Sequence, residues 1–170
     1  MIIKTERLIL EPLGYKHLDD FNVYATDKEA IKYMLFFPTD DREDSKEYLT
    51  RSEEQWNSDK QDVWELAVLL DGKNIGYVGI YDEDGKAELG WLFSKDYQGK
   101  GYAYESACAA VEYAKKLGYT EFVAHCDSAN APSYGLMEKL GMKRISEKFG
   151  RKNKLSNPDR TEYTYYMGGV

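Results

Sequence analysis

The chain has 170 residues and a formal net charge of −7, with 42% hydrophobic and 31% charged residues. A chain of this size and composition forms an ordinary globular domain that needs no disulfide or metal to fold, and its acidic balance argues against nucleic acid as the main partner. The sequence contains neither an apolar run of roughly 18 residues, the length of a membrane span, nor a signal-peptide pattern. We therefore expect one cytoplasmic domain over residues 1–170 without a membrane partner.

Hydrophobic periodicity predicts the elements of the first third of the chain. Residues 5–12 alternate as a strand does, and apolar spacing predicts a short helix after Leu18 and another after an Asp27 cap. The charged stretch from Glu43 to Trp56 carries apolar residues at helical spacing and predicts an amphipathic surface helix.

The period changes to that of strands in the middle of the chain. Three strands are predicted at residues 64–70, 75–81 and 86–94. The short Asp- and Gly-containing segments between them are typical of hairpin turns, so these strands are expected to form an antiparallel meander.

Helical spacing returns at Tyr102–Leu117 and ends at Gly118, a residue that favours the left-handed conformation of a helix stop. A stripe of mostly small residues would let this helix lie close to a sheet; it consists of Ala103, Ala107, Ala110, Ala114 and Leu117. The remaining elements are predicted as a strand at 121–126, a short helix containing Pro132 at 132–141 and a strand at 144–149. A polar loop at 151–160 and a final strand at 162–167 follow. This order predicts an α/β (α+β) fold with a mixed, mostly antiparallel central sheet and helices on both faces.

The two cysteines and two histidines form neither a disulfide framework nor a metal-ligand pattern. Cys108 lies in an alanine-rich helical segment and Cys126 at the end of a predicted strand, so both are interpreted as buried structural thiols. His17 and His125 lack metal-ligand spacing with any cysteine or carboxylate cluster. We predict no metal site.

The segment Gln98-Gly99-Lys100-Gly101-Tyr102-Ala103 joins a predicted strand to the N-terminus of the long helix. Glycines allow consecutive backbone N–H groups to point into one concavity, and the helix dipole adds partial positive charge there. Gly101 would let a ligand approach the backbone without a Cβ clash, and Lys100 would add charge at the rim. The six residues therefore predict an anion-binding site.

Known phosphate-binding sequence patterns narrow the choice of ligand for this segment. The P-loop pattern G-x-x-x-x-G-K-[ST] is absent from the sequence, and the dinucleotide pattern fails because Tyr104 stands where its third glycine belongs. The pattern Q-x-x-G-x-A fits instead, in which the loop and helix bind the pyrophosphate of coenzyme A. A glycine-rich turn without a ligand is the alternative.

Three landmarks make the chain resemble the GCN5-related N-acetyltransferase (GNAT) superfamily, and within it the branch of ribosomal-protein serine and alanine N-terminal acetyltransferases. The first is T-E-R-L-I-L-E-P-L at Thr5–Leu13, where that branch usually has arginine in place of Glu11. The second runs from Ala87 to Ala103, and the third is Asn130–Met142, with Met142 in place of an aromatic residue.

The resemblance implies a GNAT-like fold and a specific activity. Acetyl-CoA would be the cosubstrate, and its acetyl group would pass by direct attack in a ternary complex to a primary amine, either a peptide N-terminus or a small-molecule amine. A monomer or homodimer is expected. The alternative is a non-catalytic CoA-binding or sensor domain.

The resemblance also assigns residues that bind the pantetheine arm of CoA. The strand ending at Ser94 would separate from the strand containing His125, and the arm would enter that gap and bond to the backbone of Leu92, Phe93 and Ser94. A bulge near Leu92 would direct one N–H at the thioester carbonyl as an oxyanion donor. Asn130 would bond the arm or hold the strand–helix turn.

Catalytic candidates follow from the same resemblance. Met137 stands where many family members have a tyrosine that protonates the departing thiolate. Ser133 shares its helix face and is the candidate acid, with Tyr134 as a weaker candidate and helix capping as the alternative role of Ser133. Glu88 occupies a position where some members have a general base; the alternatives are a solvent-facing side chain or deprotonation through water. Phe36-Phe37-Pro38 would wall the acceptor site or belong to the core.

Overall fold

The structure of the chain is a computed structural model that describes residues 1–35, 40–155 and 158–169. Its strands are β1 (Ile3–Lys4), β2 (Ile9–Pro12), β3 (Val63–Leu70), β4 (Lys73–Glu83), β5 (Lys86–Phe93), β6 (Glu121–Asp127), β7 (Lys143–Arg151) and β8 (Arg160–Gly168). Its helices are α1 (Leu18–Ala25), α2 (Lys28–Ile31), α3 (Arg42–Trp56), α4 (Tyr102–Lys116) and α5 (Ala131–Lys139). Single turns of 3-10 helix lie at Tyr15–His17 and Lys95–Tyr97.

The strands of the described ranges form one sheet in the order β1-β2-β3-β4-β5-β6-β8-β7. Neighbouring strands are antiparallel except β5 and β6, which are parallel. The predicted mixed, mostly antiparallel sheet is confirmed. Both central hairpins turn through an aspartate and a glycine with positive φ, at Asp71-Gly72 and Asp84-Gly85. This is the chemistry of the tight turns whose twist matches that of the flanking strands.

Alternating strand residues bury two hydrophobic layers, one on each face of the sheet. The face covered by α4 and α5 is filled by side chains that include Ile80, Leu89, Phe122 and Tyr165. The opposite face, here the α1–α3 face, contains Phe21, Leu49, Ala67, Tyr77 and Leu92. Because successive side chains of a strand point to opposite faces, Glu88 shares the α1–α3 face with Leu92.

Small side chains bring α4 close to the sheet, as predicted. Ala107, Ala110 and Ala114 are each at most 1% exposed. Leu117, predicted to continue this stripe, is 39% exposed. The helix has ended by then, because Gly118 adopts a φ of +102° and turns the chain toward β6.

The predicted strand at 5–12 is shorter than expected, since β2 begins only at Ile9. The Thr5 N–H donates to the Leu8 carbonyl at 3.0 Å, which makes a turn between β1 and β2. The Arg7 N–H donates to the Glu105 carboxylate at 2.8 Å. Contacts with α4 therefore hold the turn between the paired strands β1 and β2.

Aspartate side chains cap two of the helices. Asp27 accepts from the N–H of Glu29 at the start of α2, as predicted, and Asp41 accepts from two first-turn N–H groups of α3. Such caps satisfy donors that have no partner inside the helix. In the part of the chain that the structure describes, no helix is long and apolar enough to cross a membrane.

Candidate active site

The predicted anion-binding segment lies between the end of β5 and the start of α4. Gly99 and Gly101 have φ values of +73° and +84°, in the left-handed region that favours glycine. Gly101 is the N-cap residue of α4, so no side chain is available at that position to bond the first-turn N–H groups. These donors and the helix dipole face the concavity of the loop, which suits an anionic ligand.

Side chains of the loop hold its own backbone. The Gln98 amide donates to the Phe93 carbonyl at 2.9 Å and so fixes the loop to the end of β5. The Lys100 ammonium donates to the Asp96 carbonyl at 2.8 Å and lies 5.5 Å from the centre of the Tyr97 ring. Lys100 is exposed and contributes positive charge to the rim of the loop.

The parallel strands β5 and β6 pair only near their N-terminal ends. Ala87 pairs with Phe122 and Glu88 with Val123, and in the described residues of both strands the ladder stops there. β5 continues to Phe93 and β6 to Asp127, so the two strands diverge. This is the predicted gap, and it opens toward the anion-binding loop.

Of the three backbone positions predicted to face the gap, Phe93 does so, and Leu92 and Ser94 do not. The Ser94 N–H already donates to the Ile75 carbonyl of β4 at 3.0 Å, and the pairing of β4 with β5 is unbroken. Because bonded positions alternate along an antiparallel pair, the backbone of Leu92 also faces β4, and that of Trp91 and Phe93 faces the gap. The predicted bulge near Leu92 is wrong, since the tight turn keeps the hairpin in continuous register.

Helix α5 begins beside the C-terminal end of β6. The Asn130 carbonyl accepts from the N–H groups of Ser133 and Tyr134 at 3.0 and 3.2 Å, while its side chain makes no capping bond. Burial raises the pKa of the Cys126 thiol to about 11, and a hydrogen bond with Ser133 partly offsets this rise. The Ser133 side chain therefore contacts the Cys126 thiol and is turned toward β6.

The neighbours of Ser133 on α5 have different surroundings. Met137 is 1% exposed and lies in the core beside the sheet, on the helix face that it was predicted to share with Ser133. Tyr134 packs against Tyr163 of β8, with ring centres 5.9 Å apart. Tyr163 is the cross-strand neighbour of Cys126 and lies on the side of β6 away from the gap, so Tyr134 stays the weaker acid candidate.

Glu88 lies at the point where the gap begins, in the last pair of β5 with β6. Its side chain is half-buried on the α1–α3 face and does not point freely into solvent. Burial raises the pKa of Glu88, His125 lowers it, and the carboxylates of Glu83 and Glu162 raise it further. These four side chains therefore form one electrostatic group.

His125 is the centre of this group, and the sequence analysis assigned it no role. Its Nδ1 lies 3.0 Å from the Thr164 hydroxyl and 3.9 Å from Glu162, and its Nε2 lies 3.5 Å from Glu83. The alternation of buried Phe122, Ala124 and Cys126 along β6 would have placed His125 on the α1–α3 face, but only the folded sheet brings Glu83 and Glu162 beside it.

A buried polar network fixes the position of Glu162. Arg151 donates to Glu162 at 2.6 Å, to the Asn153 side chain at 2.8 Å and to the Tyr33 carbonyl at 3.0 Å. Arg151 was predicted to begin a polar loop, but it ends β7 and is 9% exposed. Its guanidinium is buried because these acceptors satisfy it, a pairing that single-sequence patterns do not reveal.

Tyr81 forms the floor of the α1–α3 face beside Glu88, its cross-strand neighbour. Its ring covers Gly79, and a Cβ at Gly90 would lie 3.2 Å from the ring edge. Its hydroxyl donates to buried Glu65 at 2.9 Å, and Tyr48 donates to the same carboxylate. Burial raises the pKa of Glu65. Phe36-Phe37-Pro38, predicted at the acceptor wall, lie outside the described residues.

Comparison with known proteins places N-acetyltransferases among the relatives of this chain. Residues 7–143 match the acetyltransferase (GNAT) domain family. An uncharacterized N-acetyltransferase of Bacillus subtilis, YnaD, is 31% identical over 150 residues, covering 85% of this chain and 84% of the relative. An acetyltransferase of the GNAT family from Bacillus anthracis has a TM-score of 0.81 at 29% identity, covering 99% of this chain and 98% of that one. The ribosomal L7/L12 alpha-N-protein acetyltransferase RimL, solved with coenzyme A, shares the fold at 14% identity, with a TM-score of 0.85. The match covers 99% of this chain and 98% of RimL.

Substitution of Gly101 should abolish binding of acetyl-CoA without a general loss of folding. Acetyl-CoA at a hundred times its dissociation constant adds about 2.7 kcal/mol to stability, which raises the Tm of the wild type by about 5–10 °C. We expect Gly101→Val to lose this shift, because a side chain there distorts the loop. Gly85→Val is the matched control, since Gly85 has a φ of +82° in a hairpin turn remote from the loop. Equal shifts in both variants would contradict the assignment.

Proposed function

This chain belongs to the GNAT family of acetyl-CoA-dependent N-acetyltransferases, and we propose that it transfers the acetyl group directly to a primary amine bound on the α1–α3 face of the sheet. The observation that carries the proposal is the position of Glu88, in the last β5–β6 pair before the gap. A pantetheine arm in the gap brings its thioester beside this carboxylate. Donor and acceptor then meet in one ternary complex.

The charges of the α1–α3 face favour a cationic acceptor. Glu83 and Glu162 lie 3.5 and 3.9 Å from His125, Glu88 interacts electrostatically with all three, and Arg151 pairs with Glu162. A face with more carboxylates than cations raises the local concentration of protonated amines. The opposite charge gathers at the anion-binding loop, so the anionic donor and the cationic acceptor approach the gap from different sides.

The amine must lose a proton before it attacks the thioester, and Glu88 is the proposed acceptor of that proton. A carboxylate with a raised pKa is a stronger base than a free glutamate and is better matched to work near neutral pH. His125 stabilises the ionised form of Glu88, so the two side chains act together. Deprotonation through water is the alternative that the Glu88 variant tests.

Two groups complete the proposed mechanism. The Ser133 hydroxyl, turned toward β6 beside the gap, gives its proton to the departing CoA thiolate and regains one from solvent. A backbone N–H of Trp91 or Phe93, which faces the gap, stabilises the oxyanion of the tetrahedral intermediate, an interaction typically worth about 3–4 kcal/mol. Asn130, whose side chain makes no capping bond, binds the pantetheine arm.

The acceptor is proposed to be a peptide N-terminus or a small-molecule amine. The structural neighbour RimL acts on the N-terminus of ribosomal protein L7/L12, and this chain has an opening landmark of the ribosomal-protein branch. Several expectations from the sequence stay predictions: a cytoplasmic location, a single domain over residues 1–170, a monomeric or homodimeric state, the absence of metal and the absence of nucleic acid as a partner.

Acetyl-CoA hydrolysis and transfer can be distinguished by thiol release with a panel of amines. We expect CoA release to depend on a peptide N-terminus or another primary amine, and to saturate in both substrates. Peptides with a free and an acetylated N-terminus form the matched pair of acceptors. Tight CoA binding with no release for any amine would favour the sensor alternative.

Glu88→Gln should lower kcat/KM by about a hundredfold or more, because a general base typically contributes 10²–10⁴-fold. In the wild type, kcat/KM should rise with pH through the raised pKa of Glu88, and this limb should be absent from the variant. Because the pKa of Glu88 is higher in the folded than in the unfolded state, its ionisation lowers the stability of the wild type above the unfolded pKa. The free energy of unfolding of Glu88→Gln at neutral pH should therefore be higher than that of the wild type. Glu83→Gln on the same face should keep this limb but move it to lower pH, because Glu83 raises the pKa of Glu88. An unchanged pH profile would exclude Glu88 as the base.

Ser133→Ala should lower kcat by about a hundredfold while the KM for acetyl-CoA stays within a few-fold, because a general acid acts mainly in the transition state. Ser133→Thr keeps the hydroxyl and should retain most activity. Tyr134→Phe should remain near the wild type, since its ring lies against Tyr163. Loss of activity in Tyr134→Phe and its retention in Ser133→Ala would reverse the assignment.

A further inference from the structure

Arg7 contacts the anion-binding loop from outside, through the turn between β1 and β2. Its Nη1 donates to the Lys100 carbonyl at 3.1 Å. Its Nε donates to the Glu105 carboxylate at 2.7 Å, and its guanidinium lies 4.6 Å from the centre of the Tyr102 ring. One side chain thus connects the loop to the first turns of α4.

The bond to the Lys100 carbonyl fixes one peptide plane of the loop. In a trans peptide the C=O and the N–H point in opposite directions, so a Lys100 carbonyl held toward Arg7 turns the Gly101 N–H away from it. Gly99 and Gly101 flank Lys100 and impose little steric restriction on the rotation of this peptide. Without a partner the carbonyl is free to turn into the concavity, where it would repel phosphate.

We infer that Arg7 is a positioning residue for acetyl-CoA, which holds the Lys100 carbonyl outside the pyrophosphate site so that the Gly101 N–H points into it. The inference rests on the proposed role of the loop in binding CoA. The Glu105 carboxylate pairs with Arg7 at 2.7 Å, so the guanidinium brings little net charge to the loop. Arg7 contributes to CoA binding through a hydrogen bond that fixes the direction of the Lys100 carbonyl.

The geometry requires arginine at this position. Nε contacts Glu105 while Nη1 contacts the Lys100 carbonyl, so the planar guanidinium spans two partners at once. A lysine has the same charge but a single nitrogen, and it cannot hold both partners in that arrangement. Arg7→Lys therefore keeps the positive charge and removes the positioning of the Lys100 carbonyl, so it distinguishes the two effects.

Thr5 provides a matched control on the same carboxylate. Its hydroxyl donates to Glu105 at 2.5 Å, but it makes no bond to the loop carbonyl. Thr5→Val thus removes this interaction with α4, and also the bond that the hydroxyl accepts from the Leu8 N–H in the same turn, but it removes no bond to the Lys100 carbonyl. A purely structural role of this region would make the two variants alike.

The experiment measures the dissociation constants of CoA and dephospho-CoA by calorimetry for wild type, Arg7→Lys, Arg7→Ala and Thr5→Val. We expect both Arg7 variants to bind both ligands about tenfold more weakly, the effect of losing one hydrogen bond that involves a charged group. Thr5→Val should stay within twofold of the wild type, and kcat at saturating acetyl-CoA should stay within twofold in all variants. The Gly101 amide resonance of the ligand-free protein should move in the Arg7 variants alone.

The other outcomes overturn the inference in distinguishable ways. Equal affinities and an unmoved Gly101 resonance would show that Arg7 does not position the loop, while the proposed function stands. Weakening confined to CoA, with dephospho-CoA unaffected, would make Arg7 a ligand of the 3′-phosphate instead. Failure of the wild type to bind CoA would overturn the proposed function and this inference with it.

Discussion

The early end of the β5–β6 pairing is the constraint on which the rest of the site depends. Each strand has its other edge occupied, β5 by β4 and β6 by β8, so the backbone groups facing the gap have no strand to bind beyond Glu88 and Val123. Buried backbone groups require a partner, and we propose that the amide-containing pantetheine arm provides one. The same divergence leads to the loop before α4, so the proposed anion-binding donors lie at the far end of the gap.

Charge is divided between the two ends of this gap. The glycine-rich loop offers N–H groups, the positive end of α4 and Lys100, whereas the α1–α3 face carries Glu83, Glu88 and Glu162. A protein with a net charge of −7 thus keeps a small cationic region for its anionic cosubstrate, and its acidic side chains lie where we propose that the protonated amine binds. The proposed place of acetyl transfer is the boundary between the two regions.

The sequence predicted those parts of the fold that depend on local patterns. Hairpin turns, the stripe around Ala110 and the glycine loop are local features, and each lies where the pattern placed it. It did not predict the burial of Arg151 or the grouping of His125 with carboxylates from β4 and β8, because these depend on partners far apart in the chain. The backbone direction of Leu92 was also missed, since it depends on unbroken hairpin register.

The network around Arg151 joins parts of the chain that are distant in sequence. Arg151 contacts the Tyr33 carbonyl across 118 positions, and the Lys154 N–H donates to the Met34 carbonyl at 2.8 Å. The proposed acceptor side is therefore bordered by Tyr33 and Met34 after α2 and by the β7–β8 connection, whereas the loop before α4 belongs to neither. If the acceptor binds there as proposed, paired changes in these two parts of the chain alter the acceptor site and leave the cosubstrate site unchanged. Such modularity lets one fold acquire new substrates through paired changes in two surface connections.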